Sequence, residues 1–416
     1  MGGPSADRGR RPSATETGVT TMSAATTQPS SAQDRRPRVA VVYHFFAHYR
    51  EAVIGRLARS TKARFSFFGD DHDYESSIKA GSFAPPVDHR ACPTRRIRGS
   101  WMWQPGLIRV AASREFDQVI LLGNPYWIAT WIGAIVGRLT GKRVMFWSHG
   151  FLTPPTGVKG WVRRIFFHLP HAHLFYGRQA KQHAVALGWD PARIHVIGNS
   201  LDLDRQQRAR ESISDDATTR CREALFARPA LPTVVCSCRL QPAKRLDLLF
   251  VALNALKAQG LEANALIIGD GPERQRLESQ ARELGVSAHF EGACYNEERI
   301  ALLTMSSDLT VCPGFVGLTA IQSMAYGVPV ITNTRSSEDA PEVEAIVPGL
   351  TGDLFTDGDA AELARVMRPW LLERSDRAAI RAACLGMVER HWSPDSQRDA
   401  IEYAVMGFPA LDRAYP

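Results

Sequence analysis

The chain has 416 residues, 44% of them hydrophobic and 22% charged, and it carries a formal net charge of +7. A chain of this length normally makes two domains with a large core, so neither disulfides nor a metal is needed for stability, and the composition is that of a soluble globular protein. Lys and Arg form no dense block interleaved with aromatic residues, so we expect no nucleic acid partner; the basic balance suits anionic nucleotide substrates or an anionic membrane surface.

Residues 1–36 are rich in Ser, Thr, Ala, Pro and Arg and contain almost no large apolar residues. This composition predicts a disordered tail, and the lack of an apolar stretch argues against a secretory signal. A dispensable tail is the favoured interpretation. A targeting segment, or an upstream extension before a functional start at Met22, stays open.

Strand-like and helix-like segments alternate from Arg38 onwards. Apolar runs of strand length cover 38–44, 63–69, 117–123, 143–150, 173–177 and 193–199, with helix-like segments between most of them. Residues 70–93 have no periodicity, which predicts a long surface loop, and the aromatic stretch 101–106 is expected to pack against the domain. No charge occurs in 119–137, but a Gly-Asn-Pro break at 123–125 favours a buried strand and helix over a membrane span.

A polar segment, 200–232, separates this series from a second one. We expect it to be the domain junction, with one helix near 215–227. Strands and helices then alternate again up to 355, and three closing helices are predicted at 360–372, 376–390 and 394–406. Such alternation predicts parallel sheets covered by helices on both faces, with ligands at the carboxyl ends of the strands.

Polar aromatic side chains fall at these strand ends in the first half: His44, His149 and Tyr176. A histidine at a strand end is more often structural than catalytic, and the shared rim is the reason to favour a functional role for His149. The seven cysteines show no CxxC or Cys/His spacing, and Cys236 and Cys238 alternate within an apolar strand. We therefore expect reduced thiols, a cytosolic protein and no metal site.

The stretch 311–352 reads as strand, glycine turn, helix and strand. A glycine turn that leads into a helix N-terminus presents free N–H groups that suit a phosphate, although an ordinary βαβ unit has the same pattern. Arg239 and Lys244 follow an earlier strand and precede a helix. They suit a diphosphate; their alternative role is plain surface charge, which the helix dipole disfavours at this position.

These segments resemble retaining GT-B glycosyltransferases of family 4 (group 1). In the second half the resemblance rests, in this order, on CRLQPAKRLDLL, LIIGDGPERQRLESQARELGV, HFEG, SDLTVCPGFVGLTAIQSMAYGVPVI, PEVEAIVPGLTGDLF and DGDAAELA; in the first half, more loosely, on HYREAVIGRLA, WSHG, LFYG and VIGNSLD. It implies an α/β fold with two doubly wound Rossmann-like domains facing across a cleft. The expected divisions are a tail 1–36, an acceptor-side domain 37–200, a linker 201–231, a nucleotide-sugar domain 232–390 and a helix 391–416 that crosses back to the first domain.

The resemblance also implies site residues. Catalytic roles fall to Arg239 and Lys244 on the donor diphosphate and to His149 near the donor sugar. The implied donor-binding residues are Gly269, Asp270, Gly271, Gly314, Phe315, Val316, Gly317, Leu318, Thr319, Gln322 and Glu342, and the acceptor-side residues are His44, His48, Tyr49 and Arg50. Glu342 and Glu344 are both candidates for sugar-hydroxyl ligands, and Glu344 is equally well explained as a solvated charge.

Two departures from the family pattern stand out. The family commonly has two glutamates separated by seven residues, one on the sugar and one on the ribose, where this chain has Gly314 and Gln322. In this it resembles a PGxVGL subgroup that lacks the acidic pair. The family's frequent glycine-rich loop after the first strand is replaced here by HFFAHYR.

The predicted function is retaining transfer of a hexosyl group from a nucleotide sugar to a hydroxyl of a glycan, lipid-linked or small-molecule acceptor, as in polysaccharide biosynthesis. No cofactor and no metal are expected. The predicted location is the cytoplasm, and the basic aromatic stretch 159–168 is either an ordinary surface helix or a peripheral contact with the inner face of the membrane. The alternatives are a non-catalytic nucleotide-binding subunit of a glycan-assembly complex and a sugar-nucleotide epimerase or hydrolase on the same fold.

Overall fold

The computed structural model describes residues 1–3, 35–72, 78–153, 156–335, 340–372 and 376–411. The predicted tail therefore lies almost wholly outside the described residues. Arg36–Pro416 forms one compact unit that contains both sheets. None of the helices in the described part of the chain combines the length and the hydropathy that a membrane crossing requires.

The first domain is built on a seven-stranded parallel sheet. The strands of this half are β1 (Arg38–Phe45), β2 (Arg64–Asp70), β3 (Asp88–Ala91), β4 (Arg95–Arg98), β5 (Trp101–Trp103), β6 (Gln118–Leu122), β7 (Arg143–Ser148), β8 (Ala172–Phe175) and β9 (Ile194–Val196). The helices are α1 (Glu51–Ala58), α2 (Pro105–Ala112), α3 (Ile128–Leu139), α4 (Gly157–His168) and α5 (Arg178–Ala186). The sheet has the order β3-β2-β1-β6-β7-β8-β9, and β4 and β5 form a separate antiparallel ribbon.

Both faces of this sheet are covered by helices. This is required because successive apolar side chains of β1 point to opposite faces. Val39 and Val41 pack on one side with α1, whereas Ala40 and Val42 pack on the other side with α2, α3 and α4. Period-two alternation of apolar side chains toward both faces is what a doubly covered parallel strand needs. The strand predictions made from this periodicity are confirmed.

The second domain has a six-stranded parallel sheet. Its strands are β10 (Thr233–Ser237), β11 (Asn264–Ile268), β12 (Ala288–Gly292), β13 (Leu309–Cys312), β14 (Val330–Asn333) and β15 (Gly352–Phe355), in the order β12-β11-β10-β13-β14-β15. The remaining helices are α6 (Leu203–Glu211), α7 (Asp215–Leu225), α8 (Leu246–Ala258), α9 (Arg274–Glu283), α10 (Glu297–Met305), α11 (Leu318–Ala325), α12 (Ala360–Leu372), α13 (Arg377–His391) and α14 (Pro394–Val405).

The last helix returns to the first domain. Ala400, Ile401 and Val405 of α14 are buried in the same core as β1 and α1. Gln118 of β6 donates from Nε2 to the carbonyl of Val405 at 2.9 Å, and Lys62 pairs with the buried Glu402 at 3.0 Å. The chain thus crosses from the second domain to the first after α13.

Two segments differ from the sequence-based expectation, and a third confirms it. In the segment 201–231 the helix predicted near 215–227 forms as α7, but α6 was not predicted, and Cys221 and Phe226 pack in the core of the second domain with Val235 and Leu266. The segment 70–93, described except for 73–77, ends in the edge strand β3, which pairs with β2. The aromatic stretch 101–106 forms β5 and the start of α2, and it packs against the domain as expected: Met102 is buried and Trp103 contacts the core, although Trp101 is exposed.

Candidate functional site

Two loops of the second domain touch through glycines at the carboxyl ends of β10 and β11. A Cβ atom on Gly269 would lie 1.8 Å from the carbonyl oxygen of Cys238, and one on Gly271 would lie 2.3 Å from that of Leu240. Both glycines have positive φ, 139° and 158°. The N–H of Leu240 donates to the carbonyl of Asp270 at 2.9 Å, which locks the two loops together. Only glycine permits this close backbone approach.

The loop after β10 also touches the turn after β13. The N–H of Gly314 donates to the carbonyl of Lys244 at 3.0 Å, and a Cβ atom on Gly314 would lie 2.2 Å from the carbonyl oxygen of Ala243. Asn333 Nδ2 donates to the carbonyl of Gly314 at 2.9 Å from the other side. There is no room for a side chain at this position, so the glutamate that the family resemblance would place here does not fit this loop arrangement.

The two predicted diphosphate ligands lie on these loops. Lys244 Nζ donates to the carbonyl of Phe315 at 2.8 Å and lies 4.9 Å from the centre of the Phe315 ring. Arg239 is exposed and makes no hydrogen bond or ion pair with the described residues. The loops after β10, β11 and β13 form a rim of the second domain. Positive charge at this rim is therefore available to an anionic ligand.

The helix α11 begins at the same rim. Its N-cap residue, Gly317, provides no side-chain hydrogen bond, so the first N–H groups of the helix are not capped by a side chain. Val316 is buried, whereas Phe315 is 40% exposed. Thr319 donates from Oγ1 to the carbonyl of Ser237 at 3.2 Å, which ties α11 to the end of β10. The positive end of the α11 dipole points out of this rim.

A carboxylate that sequence reasoning missed lies beside Gln322. Gln322 Nε2 donates to Glu297 Oε1 at 3.4 Å, and the hydroxyl of Tyr326 donates to the same oxygen. Glu297 is the first residue of α10, one turn of chain beyond β12. The only sequence feature that marks Glu297 as a candidate site residue is its position at the start of a helix that follows a strand. Many residues with purely structural roles occupy such positions.

In the first domain, Arg50 lies in a buried cage of aromatic side chains. Its Nη2 donates to the hydroxyls of Tyr43 and Tyr176, and its guanidinium lies 4.5 Å from the ring centre of Tyr43 and 5.2 Å from that of Trp147. Arg50 forms no ion pair with any described carboxylate, and its Nη1 has no partner there. The cage thus holds an uncompensated positive charge.

His149 lies against this cage. Its ring centre is 4.7 Å from that of Tyr176. The His149 residue is exposed at the end of β7, but many protein atoms surround its ring, and this desolvation, followed by the charge of Arg50, lowers the pKa of His149 to about 4. His149 is therefore neutral near pH 7, and it can donate or accept a hydrogen bond.

A cavity of about 670 Å³ opens at the carboxyl ends of β1, β2 and β6, beside the ribbon of β4 and β5. Its lining side chains are polar or aromatic except for Ile78 and Met102: His44, Phe45, Asp70, His72, Ile78, Thr94, Arg96, Ser100, Met102, Asn124, Tyr126 and Trp127. Of the predicted acceptor-side residues, only His44 lines it. His48 and Tyr49 lie on a short 3-10 turn outside it, and Arg50 points into the aromatic cage.

The cavity rim also holds the one group in the described ranges whose ligand atoms are close enough for a metal ion. The ligand atoms of Asp70, Asp71 and His72 lie within 4.8 Å of one another. Asp71 and His72 are exposed, and the buried Asp70 already accepts the N–H of Asp71 and Thr94, at 2.9 and 2.7 Å.

Glu342 and Glu344 are both held by hydrogen bonds to groups of the first domain, and Glu344 also lines a small cavity beside His149 and Tyr176. Glu342 is 5% exposed and accepts a hydrogen bond from Asn199 Nδ2 at 2.9 Å. The carboxylate of Glu344 accepts the N–H groups of Arg178 and Gln179 at 2.9 and 2.8 Å, at the start of α5. Burial raises the pKa of both carboxyls. They join the second domain to the first, so the interpretation of Glu344 as a solvated charge is wrong, whereas the donor-binding role of Glu342 stays a prediction.

These loops fall within a recognised sequence family. Residues 219–384 match the family model Glycosyl transferases group 1. The matched segment contains Arg239, Lys244, the two touching glycine loops and α11. The resemblance noted for the second domain is thereby confirmed for this segment.

Curated relatives cover part of the chain. It is 31% identical over 193 residues to the GDP-mannose-dependent alpha-(1-6)-phosphatidylinositol monomannoside mannosyltransferase of Mycolicibacterium smegmatis, across 44% of this chain and 48% of that protein. It is 34% identical over 115 residues to the corresponding dimannoside mannosyltransferase of Mycobacterium tuberculosis, across 27% of this chain and 30% of that protein. The chain spans about half the length, or less, of these relatives.

The solved structure of Anabaena Alr3699/HepE in complex with UDP matches with a TM-score of 0.65 at 16% identity, over 89% of this chain and 100% of that one. The same protein in complex with UDP-glucose matches with a TM-score of 0.62. At this identity the likeness concerns the fold. It confirms the GT-B arrangement of two doubly wound Rossmann-like domains.

Proposed function

We propose that this protein transfers a sugar from a nucleotide-sugar donor to a hydroxyl acceptor. The observation that carries the proposal is the rim of the second domain. There, glycine contacts hold Arg239 and Lys244 beside the uncapped start of α11, within the segment that matches the group 1 glycosyl transferases. The two relatives reported above are both named as GDP-mannose-dependent mannosyltransferases, which supports the same reaction class.

The charges at this rim suit the bond that must break. Cleavage of a sugar–phosphate bond leaves negative charge on the departing diphosphate and develops positive charge on the sugar. Arg239, Lys244 and the N–H groups of α11 would stabilise the diphosphate, as preorganised donors do in other active sites. No metal ion or cofactor is part of this proposal.

His149 would act on the sugar without opposing its developing charge. Because its pKa is about 4, the imidazole is neutral near pH 7 and adds no positive charge beside the reacting carbon. A neutral ring offers one donor and one acceptor to sugar hydroxyls. Retention of the anomeric configuration is proposed from the family resemblance; the buried, hydrogen-bonded Glu342 is not available as a covalent nucleophile.

The acceptor would enter the cavity of the first domain. Aromatic walls at Tyr126 and Trp127 and polar groups at Asp70 and Arg96 suit a sugar ring with several hydroxyls. We propose a glycan or a lipid-linked glycan, in line with the lipid-linked mannosides in the names of the relatives. The seven free cysteines favour a reducing compartment, the cytoplasm, as the place of the reaction.

A panel of nucleotide sugars, led by GDP-mannose and UDP-glucose, tests the proposal through release of the nucleoside diphosphate. We expect one donor to be turned over, faster with acceptor than without, and Lys244→Ala to lower the rate by about a hundredfold. Binding of a nucleotide without turnover of any donor would instead favour the non-catalytic subunit. Conversion of the donor sugar without transfer would favour an epimerase or hydrolase.

A further inference from the structure

Apolar side chains point to solvent from two helices of the first domain. On α4, Val158 is 79% exposed and Trp161 is 64% exposed, and Val162 and Ile165 continue the same side of the helix. On α3, Leu139 is 81% exposed, with Ile135 and Ile132 at helical spacing. Spacings of three, four and seven residues place each set on one stripe. We call these seven residues the α3–α4 face.

The α3–α4 face is an outer surface and not a misplaced core. The opposite side of α4 is buried through Phe166 and Phe167, and that of α3 through Ala129 and Ala134. The stripes therefore have no described element to cover them, although the helices themselves are well packed. Contiguous apolar surface of this kind marks an interaction site.

The two helices are neighbours on one side of the sheet, so both stripes lie on the same side of the domain. They follow the adjacent strands β6 and β7 and cover the same side of the sheet. The ring centres of Trp131 and Phe166 are 4.9 Å apart, and Arg138 of α3 donates to the carbonyl of Leu169 at the end of α4 at 3.1 Å.

The formally charged side chains around this surface are all basic. Residues 118–189, which include both helices, contain no Asp and no Glu. Lys159 and Arg164 are exposed and form no ion pair with described residues. At 100° per residue they lie on either side of the apolar stripe of α4. An outward apolar stripe flanked by unpaired cations is the arrangement of helices that lie in the headgroup region of anionic membranes.

We propose that the α3–α4 face docks the protein on an anionic lipid bilayer. A second copy of the chain is a poorer occupant, because two identical acid-free faces would bring like charges together. An acidic protein would satisfy Lys159 and Arg164, but it would need a groove for Trp161, whereas a bilayer interface accepts both kinds of group at once.

Docking would also place the cavity of the first domain near the membrane. This consequence, unlike the docking itself, rests on the proposed function. Tyr126 and Trp127 line the cavity of the first domain and immediately precede α3. A protein that lies on its α3–α4 face therefore holds one wall of its cavity next to the lipid surface. A lipid-linked acceptor would then reach the cavity from the membrane.

Vesicle flotation of the full chain without donor or acceptor tests the docking by itself. We expect binding to vesicles of phosphatidylcholine mixed with phosphatidylglycerol, weaker binding to phosphatidylcholine alone, and loss of binding as salt is raised. Trp161→Ser and the double variant Lys159→Glu/Arg164→Glu should each lower the bound fraction, the double variant by about tenfold or more.

Matched controls make the same change in charge, or replace an exposed apolar side chain, on helices outside the α3–α4 face. Arg208→Glu/Arg282→Glu changes the net charge equally on α6 and α9, and Val251→Ser changes an exposed residue of α8. Both should bind vesicles like the unmodified protein, and nucleotide binding should be unchanged in the α4 variants.

Three results would overturn the docking proposal, whatever the transfer assay gives. These are no binding to anionic vesicles, unchanged binding in both α4 variants, and equal losses in the controls. Self-association that the α4 variants abolish, without vesicle binding, would identify the face as a contact between copies.

Discussion

The backbone at Gly314 lies so close to Ala243 that a Cβ atom would fall 2.2 Å from the Ala243 carbonyl oxygen. The hydrogen bond from the Gly314 N–H to the carbonyl of Lys244, 3.0 Å long, holds this approach. A glycine at position 314 is therefore part of how the loop after β10 is positioned. The same contact sets where Lys244 presents its amine.

Replacing Gly314 by Ala should loosen this contact, because the added methyl group must displace backbone rather than a flexible side chain. We expect a loss of about 1–3 kcal/mol in the free energy of unfolding and weaker nucleotide binding. Urea unfolding and calorimetric titration measure the two effects. For the unfolding measurement the matched control is Gly317→Ala, whose Cβ would meet only the Phe315 ring at 3.8 Å. Equal losses of stability in the two variants would show that the close approach is not required.

Desolvation and, after it, the buried charge of Arg50 should lower the pKa of His149. We expect the His149 imidazole to titrate with a pKa of about 4, followed by NMR of its ring protons. Transfer should then show no step from this group between about pH 5 and pH 8. In Arg50→Met the pKa of His149 should rise toward its ordinary value, because one of its two causes of depression is removed. An ordinary pKa for His149 in the unmodified protein would contradict this account.

His173 should make folding sensitive to acid. Burial among Phe167, Phe175 and Trp189 lowers the pKa of His173 to about 3, so the folded state keeps this ring neutral while the unfolded chain takes up a proton below about pH 6.5. Stability contributed by the neutral ring is therefore lost as pH falls from about 6.5 toward 3, by up to about 1.4 kcal/mol per pH unit.

The variant His173→Phe fits the aromatic surroundings and removes this proton. Urea unfolding at a series of pH values should show a smaller decrease in stability between about pH 6 and pH 4 than in the unmodified protein. The exposed His48, changed to Phe, is the control and should leave the slope unchanged. An identical slope in all three proteins would show that His173 is not the source.

Glu344 should stabilise the junction of the domains. Its carboxylate accepts two N–H groups at the start of α5, so Glu344→Ala leaves these donors without their partner. We expect Glu344→Ala to lower the free energy of unfolding by about 1–3 kcal/mol. Glu344→Gln keeps one acceptor oxygen and should lose less. A larger loss for Gln than for Ala would contradict the capping role.

The sequence was sufficient to predict those elements that have a clear local pattern of apolar residues or glycines. The apolar runs of β1 and β10 and the glycine turn before α11 are of this kind, and each forms as expected. The ribbon strand β4 was missed because its residues are exposed in all four positions and show no apolar alternation. The edge strand β3 was missed for a similar reason.

Contacts between segments that are distant in the chain could not be predicted from the sequence. Glu342 and Glu344 are close in the chain to the donor loops, yet their partners are Asn199 and the start of α5. Glu297 meets Gln322 only because α10 and α11 are brought together by the sheet order. Charge type and spacing identified candidate ligands, but which group each one faces is decided by tertiary packing.

Calorimetric titration with UDP, GDP and ADP tests the donor site most directly. The account predicts that one nucleotide binds with a dissociation constant in the micromolar range, and that Arg239→Ala/Lys244→Ala weakens it by about a hundredfold or more. The control Arg208→Ala/Arg282→Ala, which removes equal charge from α6 and α9, should bind as tightly as the unmodified protein. Absence of binding for all three nucleotides, or unchanged affinity in the Arg239/Lys244 variant, would contradict the account.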